Sequence, residues 1–401
     1  MPLSSDRVQT FLNGAIALSL GLAPTLHLVA LQLATILILV SVLVQGRSNF
    51  SEQPKLLWLH VLLGQFALYF MLNAVLYPSL EGNMRHFQRV ALESWSITLV
   101  GLGLMWLFVN KNRDFINSIQ RWVPLGLVLS FAIMSYFFFG PQGHRAQAFS
   151  TNTLVPPIWF LVLTLICFCD FYEMPKPAQI FRGALLILAG IMTLYSGGRA
   201  ILAIWLICTA CLGAFLIVTR PNTHRPLRDL TYLLLGLLAL IGLLYIADAA
   251  MGGTLDMRIR YTLSHLNKDG LSSTAFFRLE LWAAARDIIA SYWPMGAGQV
   301  NERLLIHEIV ERDWWFRAHQ TYMSYLIAGG ILALISGLLF QAAALWFCTR
   351  ALFPAALGLF AVPALSGLTD SIFQSFFSVQ LYMLLVFLVS GRLLPKSDNP
   401  A

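Results

Sequence analysis

Apolar runs long enough to cross a membrane follow one another along most of this 401-residue chain, and they constrain its fold more than any other feature. Charged residues make up only 11% of the chain, whereas a soluble domain has roughly 25%. Windows of about 20 apolar residues indicate about twelve spanning helices, so the sequence predicts an all-α, polytopic membrane protein. The predicted spans are 8–23, 25–45, 56–77, 88–109, 122–139, 153–170, 180–197, 200–219, 230–250, 320–347, 352–369 and 371–391.

The distribution of Lys and Arg predicts how these spans are oriented. With a cytoplasmic N-terminus, most basic residues of the short loops fall on the cytoplasmic side, as the positive-inside rule requires. Both termini are then cytoplasmic. The predicted domains are spans one to nine (1–250), a long outward-facing loop (251–319), and spans ten to twelve with a short cytoplasmic tail (320–401). Because Lys and Arg are spread through loops rather than clustered, the charge of +7 does not indicate a nucleic-acid partner.

An amphipathic helix near 275–291, inside the long loop, carries an arginine in the middle of its apolar face. At about 100° per residue, Trp282, Ala285 and Ile289 lie within about 40° of Arg278. Such an arginine either binds an anionic partner or extends its head group to the membrane interface, and the pattern leaves both open. The long loop has eight basic and eight acidic residues, so any anion site in it must come from individual placement.

A second candidate anion site lies between the seventh and eighth predicted spans, at Gly197-Gly198-Arg199. The glycines allow close backbone approach, and the following helix begins at the outer face. Unpaired N–H groups and a partial positive charge at a helix N-terminus favour phosphate, and Arg199 adds a bidentate fork. The alternative is a tight turn whose arginine marks the interface.

His319 directly precedes the tenth predicted span, another helix that begins at the outer face. The positive end of a helix dipole disfavours the imidazolium form, which leaves a neutral ring able to accept a proton. An ordinary interfacial histidine is the commoner explanation for such a residue taken alone.

Other polar features give weaker signals. Arg85 and Arg89 bound an outer basic loop that could contact lipid head groups or a second phosphorylated substrate. Asp370, between the last two spans, could orient a basic partner or cap a helix. The glycine-rich stretch 295–301 has no strand before it, which argues against a dinucleotide site. No His, Asp or Glu cluster has metal-ligand spacing, so neither a metal nor another cofactor is expected.

Together these features resemble the O-antigen ligase family of bacterial inner membranes, which is related to the O-antigen polymerases and protein O-oligosaccharyltransferases. The resemblance covers about half of the chain, from the seventh span onward, and includes the many-span layout and the long outer loop. Its motifs are Gly197-Gly198-Arg199, Arg278 with Trp282, Gly296-Ala297-Gly298 and His319-Gln320-Thr321-Tyr322. The family usually has His-Asn where this chain has His319-Gln320, and Gln keeps the amide group.

The resemblance implies a GT-C-like glycosyltransferase with its active site at the periplasmic face of the inner membrane. It implies inverting, metal-independent transfer of a polysaccharide from undecaprenyl pyrophosphate to a sugar hydroxyl of lipid A–core. The implied partners are the undecaprenyl-pyrophosphate-linked polysaccharide, the lipid A–core acceptor and membrane lipids. His319 would be the general base, and Arg199 and Arg278 would bind the donor pyrophosphate. We expect six further residues to support this site: Gly198, Trp282, Tyr322, Arg85, Arg89 and Arg317.

Several alternatives remain at this point. An O-antigen polymerase uses the same chemistry but commonly has two sizeable outer loops, whereas this sequence shows one. A protein O-oligosaccharyltransferase often carries extra C-terminal periplasmic segments. A secondary transporter would usually show internal repeats and charges at mid-membrane. A lipid-binding scaffold without catalysis would give no role to His319.

Overall fold

The computed structural model describes residues 5–45, 54–77, 85–112, 115–140, 148–149, 152–220, 226–250, 253, 273–310 and 318–393. Over these ranges the regular structure is helical and contains no strand, which confirms the all-α fold. The α-helices there are α1 (Ser5–Leu26), α2 (Leu28–Val44), α3 (Pro54–Leu76), α4 (Arg85–Lys111), α5 (Phe115–Phe139), α6 (Val155–Ile166), α7 (Lys176–Ser196), α8 (Arg199–Thr219), α9 (Pro226–Ala250), α10 (Ser273–Ser291), α11 (Glu302–Val310), α12 (Thr321–Ala342), α13 (Phe353–Gly367, with a π-helical turn at Leu357–Ala361) and α14 (Phe376–Ser390).

Six helices in the described ranges are long and apolar enough to cross a membrane. They are Leu57–Leu76, Arg85–Asn110, Phe115–Phe139, Lys176–Ser196, Arg199–Thr219 and Thr321–Trp346. Shorter apolar helices occupy most of the other predicted spans, so the chain is a multi-pass membrane protein, although the count of twelve spans is not confirmed.

The sixth predicted span, 153–170, contains only the 12-residue helix α6. At about 1.5 Å per residue this helix is roughly 18 Å long, well short of a hydrocarbon core of about 30 Å. All of its residues are buried, and its neighbours include α1, α7 and the first half of α13. Its length is therefore set by packing against protein rather than by the bilayer.

Three other boundaries differ from the sequence-based prediction or refine it. The basic stretch predicted as a loop around Arg85 and Arg89 forms the first turns of α4 instead. The last predicted span, 371–391, contains α14, which begins only at Phe376. The amphipathic helix expected near 275–291 is present as α10.

The chain forms two compact units, each assembled from separate stretches. The first unit comprises Met1–Leu37, Asn117–Ser264 and Phe347–Pro363, and the second comprises Ile38–Ile116, His265–Trp346 and Ala364–Ala401. In the first unit α1 and α5 approach through Gly21 and Gly126, because a Cβ at Gly21 would lie 2.5 Å from the Val123 carbonyl oxygen.

Aromatic side chains fill the centre of the second unit, where α3 packs against α4 and α12. The Phe66 and Phe340 rings stack with centroids 4.2 Å apart, and the Phe70 and Trp95 rings stack at 5.5 Å. Such pairs add to the hydrophobic gain from their buried area. This packing supports α12, the helix that follows His319.

Helix α12 is broken at Gly329 and Gly330, which have non-helical backbone angles. The break is filled by the loop that follows α10. The N–H groups of Ala297 and Gly298 donate to the carbonyls of Ile327 and Ala328, at 2.6 and 2.9 Å. Within a candidate membrane span, backbone groups freed by a break must be paired by protein, and this loop pairs them.

The first glycine of Gly296-Ala297-Gly298 is explained by this close docking. Gly296 has φ +79°, and a Cβ there would lie 2.5 Å from the Gly330 nitrogen. A Cβ at Gly330, φ +62°, would lie 1.6 Å from the Pro294 carbonyl oxygen. The loop after α10 and helix α12 thus pack backbone against backbone, in a contact that any side chain would block.

Candidate active site

His319 lies in the short turn that leads into α12, next to an aspartate from a distant part of the chain. Its Nδ1 atom is 3.3 Å from Oδ1 of Asp370. The His319 side chain is 39% exposed, whereas that of Asp370 is 8% exposed. The pair therefore joins a buried carboxylate to an imidazole that reaches the surface of the second unit.

Three hydrogen bonds hold Asp370 in place. The Ser371 N–H donates to Asp370 Oδ1 at 2.8 Å, and the Thr321 hydroxyl donates to the Asp370 carbonyl oxygen at 2.9 Å. The Asp370 N–H donates to the Ser366 carbonyl oxygen at 2.9 Å. Because Thr321 is the first residue of α12, this turn is tied directly to the helix that follows His319.

The hydrogen bond between the two side chains determines what the imidazole can do. An ionised carboxylate only accepts hydrogen bonds, so Nδ1 of His319 is the donor. In the neutral ring Nε2 then carries the lone pair and can take a proton. This geometry supports the first of the two roles considered for Asp370, the orientation of a basic partner.

The local backbone also shapes the position of His319. The residue has φ +50°, in the left-handed region that few residues other than glycine adopt. The next residue, Gln320, is the N-cap of α12, and its side-chain oxygen accepts a hydrogen bond from the Met323 N–H. Gln320 thus supplies the amide oxygen that caps the helix and closes the turn after His319.

Helix α10 packs against the same part of the second unit. Its buried residues Leu281 and Ala285 belong to one hydrophobic cluster. The cluster also contains Ile306 of α11, Ile327 of α12, and Ala318, which precedes α12. The helix that carries Arg278 therefore shares a core with the residue before His319.

Arg278 lies at the edge of the buried face of α10 rather than at its centre. The fully buried positions are Leu281, Ala284, Ala285 and Ile288, and their mean direction is about 70° from Arg278 at 100° per residue. Arg278 is half-buried, and Trp282 one turn later is half-buried beside it. An edge position lets the guanidinium reach an anion while its alkyl stem covers apolar surface.

Arg199 is the first residue of α8 and belongs to the first unit. Gly197 has φ +65° and ends α7, and Gly198 is the N-cap of α8. A Cβ at Gly198 would lie 2.4 Å from Cδ2 of Leu154. A glycine N-cap offers no side-chain acceptor to the first N–H groups of the helix, so the exposed Arg199 stands beside backbone donors suited to an anion.

The remaining predicted residues divide into two groups. Arg85 and Arg89 are exposed on α4, and Arg89 pairs with Glu93 at 2.7 Å. Tyr322 is directed into the protein, where its hydroxyl donates to Gln341 Oε1 at 3.1 Å and to the Ala364 carbonyl oxygen at 3.0 Å. These contacts give Tyr322 a structural role. Arg317 lies outside the described residues.

Two polar residues near the site had not been singled out from the sequence. Glu302, at the start of α11, is 2% exposed and accepts hydrogen bonds from the Ala318 N–H and the Ser324 hydroxyl. Asn73 of α3 donates to the Ala328 carbonyl oxygen and accepts from the Gln299 N–H. An acidic residue in the first turn of a helix is common on dipole grounds alone, so the sequence carried no sharper signal for Glu302.

Comparison with known proteins bears on the part of the chain that contains most of these residues. Residues 183–338 match the family model described as O-Antigen ligase. The match covers less than half of the chain, includes Arg199, Arg278 and His319, and ends before Asp370. No curated protein matches the chain. The match supports glycosyltransferase activity of the ligase or polymerase type. The resemblance noted in the sequence is thereby confirmed, and the chain carries an O-antigen ligase family domain.

Proposed function

We propose that this protein is an O-antigen ligase of the bacterial inner membrane. In this proposal it transfers a polysaccharide from undecaprenyl pyrophosphate to a sugar hydroxyl of lipid A–core at the periplasmic face. The domains keep their predicted roles: spans in 1–250, a periplasmic loop in 251–319, and further spans with a cytoplasmic tail in 320–401. The observation that carries the proposal is the His319–Asp370 pair, within a chain that has an O-antigen ligase family domain.

The pair supports a general-base mechanism for His319. Nε2 takes the proton of the acceptor hydroxyl while that oxygen attacks the anomeric carbon of the donor sugar. The bond from this carbon to the pyrophosphate oxygen breaks, and attack from the opposite face inverts the anomeric configuration. Asp370 accepts the Nδ1 hydrogen bond and stabilises the imidazolium that forms. A positioned base of this kind contributes typically 10²-fold to 10⁴-fold in rate.

The leaving group makes a different demand on the protein. Undecaprenyl pyrophosphate departs with its charge spread over phosphate oxygens, so it needs charge stabilisation more than a proton. In the proposed mechanism Arg278 and Arg199 bind these oxygens, each through a planar guanidinium that matches phosphate geometry. The backbone N–H groups at the start of α8 add donors beside Arg199. Six further residues support the site in this proposal: Gly198, Trp282, Tyr322, Arg85, Arg89 and Arg317.

The choice of acceptor is tested with purified protein and an undecaprenyl-pyrophosphate glycan. Lipid A–core, a peptide, and a second undecaprenyl-pyrophosphate glycan are offered in parallel, with and without a chelator. The proposal predicts transfer to lipid A–core that survives chelation. Elongation of the lipid-linked glycan alone would identify a polymerase, and transfer to the peptide alone would identify a protein O-oligosaccharyltransferase.

A further inference from the structure

The side chain of Glu302 is buried beside the turn that carries His319. It begins α11, is 2% exposed, and receives two hydrogen bonds on one oxygen. The Ala318 N–H donates to Glu302 Oε1 at 3.1 Å, and the Ser324 hydroxyl donates to the same atom at 2.7 Å. A carboxylate in such surroundings is costly unless its oxygens are paired, so these contacts hold it in one orientation.

The two donors lie on opposite sides of His319 in the chain. Ala318 directly precedes it, and Ser324 is in the first turns of α12, five residues later. Ala318 is fully buried in the core shared by α10, α11 and α12. One carboxylate oxygen therefore binds the chain on both sides of His319. His319 has φ +50°, a conformation that its surroundings must maintain.

The same oxygen is also connected to Asp370. The Ser324 and Ser371 hydroxyl oxygens are 3.4 Å apart. Because Ser324 donates its proton to Glu302, Ser371 is the donor in that contact. The Ser371 N–H in turn donates to Asp370 Oδ1 at 2.8 Å. Polar contacts thus run from α11 through α12 to the turn before α14, and end at the carboxylate that holds His319.

We propose that Glu302 is a positioning residue for the base, through the Ala318 N–H on one side of His319 and through Ser324 and Ser371 to Asp370 on the other. The inference rests on the proposed function, since it assigns Glu302 a role in setting the His319–Asp370 geometry. In this proposal Glu302 acts on the base through these contacts and not on the substrate or on the transferred proton. Its contribution comes from the acceptor atom Oε1 rather than from its charge.

The test compares Glu302→Ala and Glu302→Gln with wild type in a purified transfer assay. Loss of the acceptor releases the turn, and displacement of a base by about 1 Å can cost up to roughly 10²-fold. We therefore expect kcat to fall about 10-fold or more in Glu302→Ala with donor KM within about 2-fold. Glu302→Gln keeps an oxygen at Oε1, so its kcat should stay within about 3-fold of wild type.

A matched control is available on the same helix. The Ser336 hydroxyl of α12 donates to Gln65 Oε1 at 2.8 Å, a polar contact with no connection to His319 among the described residues. Gln65→Ala removes an acceptor for a serine of α12, as Glu302→Ala does, and should leave kcat near wild type at equal protein level. Equal loss of kcat in the two variants would reduce Glu302 to a structural role and overturn the proposal.

A double variant separates failure of this inference from failure of the proposed function. If Glu302 acts through His319, adding Glu302→Ala to His319→Ala should change the residual rate by less than about 2-fold. A further 10-fold loss there would contradict positioning. If His319→Ala alone keeps full activity, the proposed function fails. If His319→Ala is inactive while Glu302→Ala matches wild type, only the role of Glu302 fails. Equal inactivity of Glu302→Gln and Glu302→Ala would also refute the acceptor role.

Discussion

At the scale of single residues, the proposed chemistry depends on a histidine held by an aspartate fifty-one positions later in the chain. Asp370 is largely buried and His319 is partly exposed, so the carboxylate acts on the ring from inside while the ring faces the surface. This arrangement fixes the tautomer and stabilises positive charge on the ring during proton transfer.

Replacing the aspartate tests that contribution. Asp370→Asn keeps the size of the side chain but removes its charge and can present an N–H to Nδ1, so we expect kcat to fall about 10²-fold with little change in KM. Steady-state kinetics of the transfer reaction measure both kcat and KM. The matched control is Asp287→Asn, an exposed aspartate of α10 paired with Arg286, which should leave kcat near wild type. Wild-type kcat in Asp370→Asn would refute this role for the carboxylate.

Arg278 allows a second test with a control on the same helix. If the guanidinium binds pyrophosphate through two hydrogen bonds, a lysine in its place loses the fork while keeping the charge. Arg278→Lys should therefore lower kcat/KM for the donor about 10-fold. Arg286→Lys changes an exposed arginine of α10 and should match wild type. Equal kinetics of both variants would leave Arg278 as an interfacial arginine only.

The sequence identified His319, Arg278 and Arg199 because each interrupts or borders an apolar run, which is a local property. It suggested an orienting role for Asp370 but could not pair it with His319, since that contact depends on how the turn before α14 packs beside α12. The role of Glu302 could not be predicted for the same reason, because its partners Ala318 and Ser324 are close to it only after α11 folds against α12.

At the scale of secondary-structure elements, the break in α12 is the feature that most affects the site. The loop after α10 pairs the carbonyls freed at the break. Asn73 of α3 contacts both partners, because it donates to the Ala328 carbonyl oxygen of α12 and accepts from the Gln299 N–H of the loop. The tenth span could be predicted from hydropathy, but its break could not, because glycine pairs also occur in intact membrane helices. The length of α6 was overestimated from the sequence, because a helix buried in protein and a helix facing lipid are equally apolar.

The break predicts a strong effect of a small substitution. Gly330→Ala places a Cβ 1.6 Å from the Pro294 carbonyl oxygen at a left-handed backbone position, which should destabilise the protein by about 2 kcal/mol or more. Thermal unfolding in detergent should show a clearly lower Tm. In the control Gly101→Ala, on α4, the added Cβ meets no described atom within 4 Å, and the Tm should be unchanged or slightly higher. Equal Tm values for the two variants would show that the docking is not tight.

At the scale of the whole molecule, the orientation in the membrane is still a prediction from the distribution of Lys and Arg. It places both termini in the cytoplasm and 251–319 in the periplasm, where a lipid-linked glycan and lipid A–core would meet. Alkaline phosphatase fused within 254–272 should therefore be active, whereas the same enzyme fused after Ala401 should be inactive. The reverse pattern would place the His319 turn on the cytoplasmic side and exclude the proposed reaction.

The central claim is that His319 is the base of a polysaccharide transfer to lipid A–core. The most direct measurement is the fraction of lipopolysaccharide capped with O-antigen in a strain that lacks its own ligase. His319→Ala should insert at the wild-type level yet leave the lipopolysaccharide uncapped, while Ser336→Ala, a buried polar change in the same helix, should restore capping. Full capping by His319→Ala at equal membrane level would contradict the account.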